Sequence, residues 1–120
     1  MFALTESHRF LLYNRPTDMR KSFDALSGLV LSVMKRDPLS GEVFVFVNRS
    51  RNLMKLLRFC SGGFVLYYKR LETGTFEIRF DRENDYGTPI SYEELTMIIG
   101  GISVQNLQKR KRYKRVQNMF

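Results

Sequence analysis

The sequence predicts an α+β domain: an antiparallel β-meander of about five strands, two main helices on one face, and a basic C-terminal arm. Three observations carry that expectation. Two segments space their apolar residues at helical intervals, several short segments are apolar throughout or alternate with period two, and cations crowd the C-terminal end. At 120 residues the chain suits one domain, expected over residues 1–108, with the arm over 109–120.

Phe10-Leu11-Leu12-Tyr13 is a short apolar run, read as a first strand closed by Asn14-Arg15-Pro16. Met19, Phe23, Leu26, Val30, Val33 and Met34 then recur every three or four residues, which gathers them on one side of a helix. Thr17 or Asp18 is its natural N-cap, because a short oxygen-bearing side chain satisfies the free N–H groups of a first turn. Asp37-Pro38-Leu39-Ser40-Gly41 ends the helix, since a residue preceding proline avoids helical backbone. Val43-Phe44-Val45-Phe46-Val47 is apolar on both sides, as a central strand is.

Asn48 to Asn52 form a polar turn, and Met54 to Cys60 a strand with cations interleaved. Ser61-Gly62-Gly63 is a tight hairpin signal leading into Phe64 to Leu71. After the Glu72-Thr73-Gly74 turn, Phe76, Ile78 and Phe80 alternate with Glu77 and Arg79, the pattern of a half-buried strand. The short loops between these strands imply an antiparallel meander. Ser91 and Glu94 form a capping box ahead of Leu95, Ile98 and Ile99, and Gly100-Gly101 stops this second helix.

Composition excludes several classes. Hydrophobic residues at 43% and aromatics at 13% supply a real core, which argues against a disordered chain. No segment approaches the roughly 18 apolar residues that span a bilayer, and the N-terminus lacks the pattern of a signal peptide. Cys60 is the single cysteine, so no internal disulfide forms, and a reducing cytoplasm is the expected location.

Groups for catalysis are scarce. With His8 the single histidine and Cys60 the single thiol, a zinc site of several such ligands has no basis. Cys60 beside a Gly-Gly turn reads as a small structural residue. No glycine-rich phosphate loop is present. Asp81, Glu83 and Asp85 alternate in a loop but lack the glycine placement of a calcium loop, and a solvated acidic loop is the expected reading. Asp18 and Glu77 are the carboxylates on which a metal-dependent nuclease would have to be built. No enzyme activity, metal or cofactor is expected.

The cations form the stronger constellation. Residues 1–108 hold fourteen Lys and Arg against twelve Asp and Glu, a net +2, while the arm holds Lys109, Arg110, Lys111, Arg112, Lys114 and Arg115 with no acid. Such a segment repels itself and attracts polyanions, and release of counterions from phosphate makes nucleic acid the expected partner, DNA ahead of RNA. No amphipathic helix or lipidation signal directs the charge to a membrane. Arg20 and Lys21 fall in the expected first turn of the first helix, where either a bound phosphate or an acid such as Asp18 or Asp24 offsets them. Arg49 and Arg51 crown the polar turn, Lys55 lies on the next strand, and Lys69-Arg70 ends the one after. If Lys55 and Lys69 share a face, the sheet carries a basic stripe, with Tyr67 or Tyr68 beside it to stack on a base.

Four segments resemble a known family. Pro16-Thr17-Asp18-Met19-Arg20-Lys21-Ser22-Phe23-Asp24 is followed by Asp37-Pro38-Leu39-Ser40-Gly41 with Val43-Phe44-Val45-Phe46. Lys55-Leu56-Leu57 and Leu66-Tyr67-Tyr68-Lys69-Arg70-Leu71-Glu72 come next, in matching order and spacing. From about residue 2 to 115 the chain resembles the TnpB-type accessory proteins of the bacterial insertion-sequence family numbered sixty-six. The resemblance implies a role in transposition beside a separate transposase that carries the catalytic acids. It departs at Cys60 and Gly62, where the family usually carries an acid and often Asp or Asn, so no role of those residues carries over. The leading expectation is a non-catalytic, DNA-binding accessory protein of the bacterial cytoplasm. An adaptor that docks on the transposase is the alternative.

Overall fold

A computed structural model describes residues 4–101; the basic arm expected over 109–120 lies outside the described residues. The elements run β1 (Phe10–Leu12), α1 (Phe23–Ser32), β2 (Val43–Val47), β3 (Leu53–Cys60), β4 (Gly63–Arg70), β5 (Thr88–Ile90) and α2 (Tyr92–Gly100). The α+β class holds, but the sheet is mixed rather than a meander. Its order is β4-β3-β2-β1-β5, with β1 parallel to β2 and the other three pairings antiparallel. The parallel pair follows from connection length: the chain leaves β1, crosses over through α1, and re-enters the sheet in the same direction.

The fifth strand is also displaced. Phe76 and Ile78 are buried and Arg79 is exposed, so the alternation is real, yet no strand is assigned there. The segment lies extended over the core, held in part by the Phe76 N–H donating to the Arg51 carbonyl at 2.7 Å. Period-two burial needs only a covered side and an open side, which a packed extended segment provides without a ladder. Thr88–Ile90 takes the edge instead, against β1.

The two helices occupy opposite faces, which corrects the expected one-faced arrangement. Phe44 and Phe46 turn toward Leu26 and Val30 of α1 and Met34 just beyond its C-terminus. Val43, Val45 and Val47 turn the other way, into a cluster with Phe76, Ile78, Leu95 and Ile98. All five residues of β2 are buried, and a strand apolar on both sides demands cover on both sides.

Local chemistry sets several boundaries. Ser61 and Gly62 both have positive φ, +50° and +81°, as a two-residue primed hairpin turn requires, so Cys60 pairs with Gly63. In α2 the capping box is complete: the Glu94 N–H donates to Ser91 Oγ at 3.0 Å and the Ser91 N–H to Glu94 Oε1 at 2.9 Å. Gly101 closes that helix in the left-handed region at φ +84°. Helix α1 starts later than its apolar spacing implies, at Phe23, with Ser22 as an N-cap that makes no side-chain bond. The Thr17 N–H is committed to the Val47 carbonyl at 2.9 Å, and Asp18 Oδ1 accepts from the Arg20 N–H at 2.9 Å. Thr17 and Asp18 therefore shape a loop, and Arg20 and Lys21 precede the helix instead of sitting in its first turn.

Candidate nucleic-acid interface

Lys55 organises the end of the sheet where that loop passes. It points to the α1 side of β3 and is only 5% exposed. Its Nζ donates to the Met19 and Lys21 carbonyls, each at 2.7 Å, which pins the loop to the strand. Register places Tyr68 directly opposite Lys55, and the ammonium lies 4.7 Å from that ring's centroid. Burial pushes the Lys55 pKa below its ordinary value, with the Asp18 charge opposing the shift.

The β2–β3 turn forms the other wall. Asn48 Oδ1 accepts from the Asn52 and Leu53 N–H groups, each at 3.0 Å, and its Nδ2 donates to Asn52 Oδ1 at 2.8 Å. Arg49 projects from this braced turn, exposed and without an ion pair among the described residues. Loop, turn and β4 enclose an open cleft of about 710 Å³ whose lining includes Asp18, Arg20, Arg49, Ser50, Leu53 and Tyr68. Arg20 sits across from Asp18, with Nη2 2.6 Å from Oδ2. The hydrogen bonds from the Arg20 guanidinium, then from its backbone N–H, lower the Asp18 pKa to about 2. The same contact raises the Arg20 pKa. Both side chains are well exposed, at 91% and 44%, so the pair is weak and a phosphate can compete for the guanidinium.

The cations singled out by sequence divide among several places. Arg20 and Arg49 line the cleft, Lys21 is exposed in its loop, and Lys55 is buried beneath it. Arg70 shares the Tyr68 side of β4 and pairs with Glu72 at 2.8 Å. Lys69 faces the opposite side, opposite Met54, so Lys55 and Lys69 form no stripe. Arg51, at φ +60°, turns away and lies 5.8 Å from the Phe80 ring centroid. It lines a second cavity of about 520 Å³ together with Arg79, Arg82, Glu77 and Glu94. Arg79 and Arg82 are cations that sequence reasoning passed over. Lys109, Arg110, Lys111, Arg112, Lys114 and Arg115 lie outside the described residues.

The acidic loop has structural work. Asp85 pairs with Arg15 at 2.8 Å, and Asp81 Oδ1 accepts from the Glu83 N–H at 3.2 Å. Buried Asn14 anchors the loop, accepting from the Asp81 N–H and donating to the Asn84 carbonyl and Thr88 Oγ1. Among the described residues no three His, Cys, Asp or Glu side chains converge to hold a metal ion. No helix among them is long and apolar enough to cross a membrane.

Comparison with known proteins places this chain in a family. The family model described as IS66 Orf2-like protein matches residues 8–109. Two relatives come from Sinorhizobium fredii (strain NBRC 101917 / NGR234). The uncharacterized protein y4jC is 30% identical over 115 residues, covering 96% of each chain. The uncharacterized protein y4hO is 34% identical over 100 residues, covering 83% of this chain and 85% of that one. No solved structure matches. The match takes in the whole sheet, the pinned loop and both walls of the cleft, and the chain belongs to the IS66 Orf2-like family of accessory proteins in insertion-sequence transposition.

Proposed function

We propose that this chain serves transposition as a non-catalytic DNA-binding protein of the bacterial cytoplasm, engaging DNA at element ends or in the transposase–DNA complex. The observation that carries the reading is the cleft itself: Arg20 from the pinned loop, Arg49 from the β2–β3 turn and Tyr68 from β4 meet there. Two guanidiniums are suited to phosphate, and an exposed ring offers apolar contact. Lys21 adds charge at the rim, and the arm from Lys109 to Arg115 adds salt-dependent affinity without sequence information. Arg51, Lys69 and Arg70 contribute to the surrounding positive field rather than to the cleft.

The test is DNA binding by fluorescence anisotropy across a salt series. Arg20→Gln with Arg49→Gln lowers the slope of log affinity against log salt by about 2, one unit for each phosphate no longer neutralised. An unchanged slope removes the cleft from the mechanism. Residues 1–108 compared with 1–120 measure the arm in the same way.

A protein partner is the second reading, favoured by two large apolar side chains of α1, Phe23 and Leu31, exposed at 42% and 62%. Co-purification with the transposase that survives nuclease treatment supports it, and loss of the complex on that treatment returns the case to DNA.

A further inference from the structure

We infer that the cleft receives an unpaired nucleotide, its base stacked on Tyr68, so that the protein prefers single-stranded to duplex DNA. The inference rests on the DNA-binding reading above and narrows it to a substrate class. Tyr68 is 53% exposed on β4. One face of its ring is taken by the Lys55 ammonium at 4.7 Å, and that ammonium is buried and tied to two loop carbonyls. The exposed surface therefore belongs to the other face and the edges, on a ring that rests against a fixed cation. A platform held in this way loses little freedom when a base settles on it.

A base within a duplex has both faces covered by its neighbours, so only an unpaired one can use the platform. The cleft of about 710 Å³ falls within the roughly 300–1,000 Å³ common for sites that enclose small ligands. Arg49 and Arg20 stand on the walls beside Tyr68, where the phosphates flanking a stacked base would pass. Asn48 has its carboxamide committed to Asn52 and Leu53, which leaves the Ser50 hydroxyl, beside the Arg49 guanidinium, as the uncharged polar side chain in the turn wall free of a hydrogen bond among the described residues. Stacking with so little base-edge hydrogen bonding reads an open base without reading its identity.

The experiment uses the full chain and three fluorescein-labelled probes of equal length: oligothymidylate, a duplex, and an abasic oligomer that keeps the phosphates. Wild type binds oligothymidylate more tightly than either of the others. Tyr68→Ala loses about ten-fold or more on oligothymidylate and little on the abasic oligomer, while Tyr68→Phe retains the wild-type order. Because the side chain is exposed, circular dichroism of Tyr68→Ala matches wild type. Equal binding to all three probes, or an equal loss on the abasic oligomer, overturns the inference while DNA binding stands. Failure to bind any probe in dilute buffer overturns both.

Discussion

Replacing Lys55 by methionine tests the device that builds the cleft. The substitution keeps the length of the side chain and deletes two hydrogen bonds of 2.7 Å to the Met19 and Lys21 carbonyls. Hydrogen bonds to a charged group contribute about 1.5–3 kcal/mol each, and the contact with the Tyr68 ring adds about 0.5–1 kcal/mol. Two effects oppose that loss. Water can reach the carbonyl of exposed Lys21, and methionine escapes the burial cost that lowers the Lys55 pKa. The net expectation is a loss of about 1–3 kcal/mol, read by urea unfolding with an unchanged dependence on denaturant. The pH dependence has a definite sign. A lysine whose folded pKa lies below its unfolded value of 10.5 binds fewer protons when folded, so its contribution to stability rises with pH across that interval. The gap between wild type and Lys55→Met therefore widens from neutral pH toward 10.5. Equal stability at neutral pH, or a gap that narrows on raising the pH, refutes the pinning argument.

Further predictions concern the acid of the cleft and the support behind the sheet. Asp18→Asn frees the Arg20 guanidinium and removes a negative charge, so affinity for DNA rises; a fall in anisotropy-derived affinity counts against the cleft. The Asp18 carboxyl, followed by NMR, titrates near pH 2 rather than 3.8, and its stabilising contribution is intact above 3.8 and lost as pH falls toward 2. Gly87→Ala lowers the melting temperature through a loss of about 1–3 kcal/mol, because φ there is +103° and a Cβ would meet Met34 Cε at 2.7 Å. A melting temperature equal to wild type rules out that conformational demand.

The parts of the fold legible in sequence were those fixed by chemistry within a few residues. Ser61-Gly62 specified a hairpin turn and Ser91 with Glu94 a helix start. The two-sided apolarity of Val43–Val47 already required cover on both faces, yet placing both helices on one side ignored it. Strand Thr88–Ile90 escaped notice because it is three residues long and contains Pro89, which edge strands tolerate and central ones do not. Asp18 looks like a helix cap, but competition from Thr17 for the end of β2 turns it into a loop former. The site was half visible. Choosing between Tyr67 and Tyr68 needs the register, and counting back from Cys60 opposite Gly63 puts Lys55 opposite Tyr68 and Lys69 opposite Met54. Arg79 falls in a segment whose alternation predicts a strand and Arg82 in the acidic loop, and the course of both depends on long-range packing.

The placement of the helices on opposite faces has a consequence for synthesis. A nascent chain that has reached Arg70 contains β1 to β4 and α1, so one side of the sheet is already clothed. The other side still presents Val43, Val45, Val47, Met54 and Leu56, because Phe76, Ile78, Leu95 and Ile98 are yet to leave the ribosome. An oily half-finished surface of that kind invites aggregation or capture by a chaperone. That surface is covered only when the stretch through Ile98 has been translated and can swing across to shut the domain.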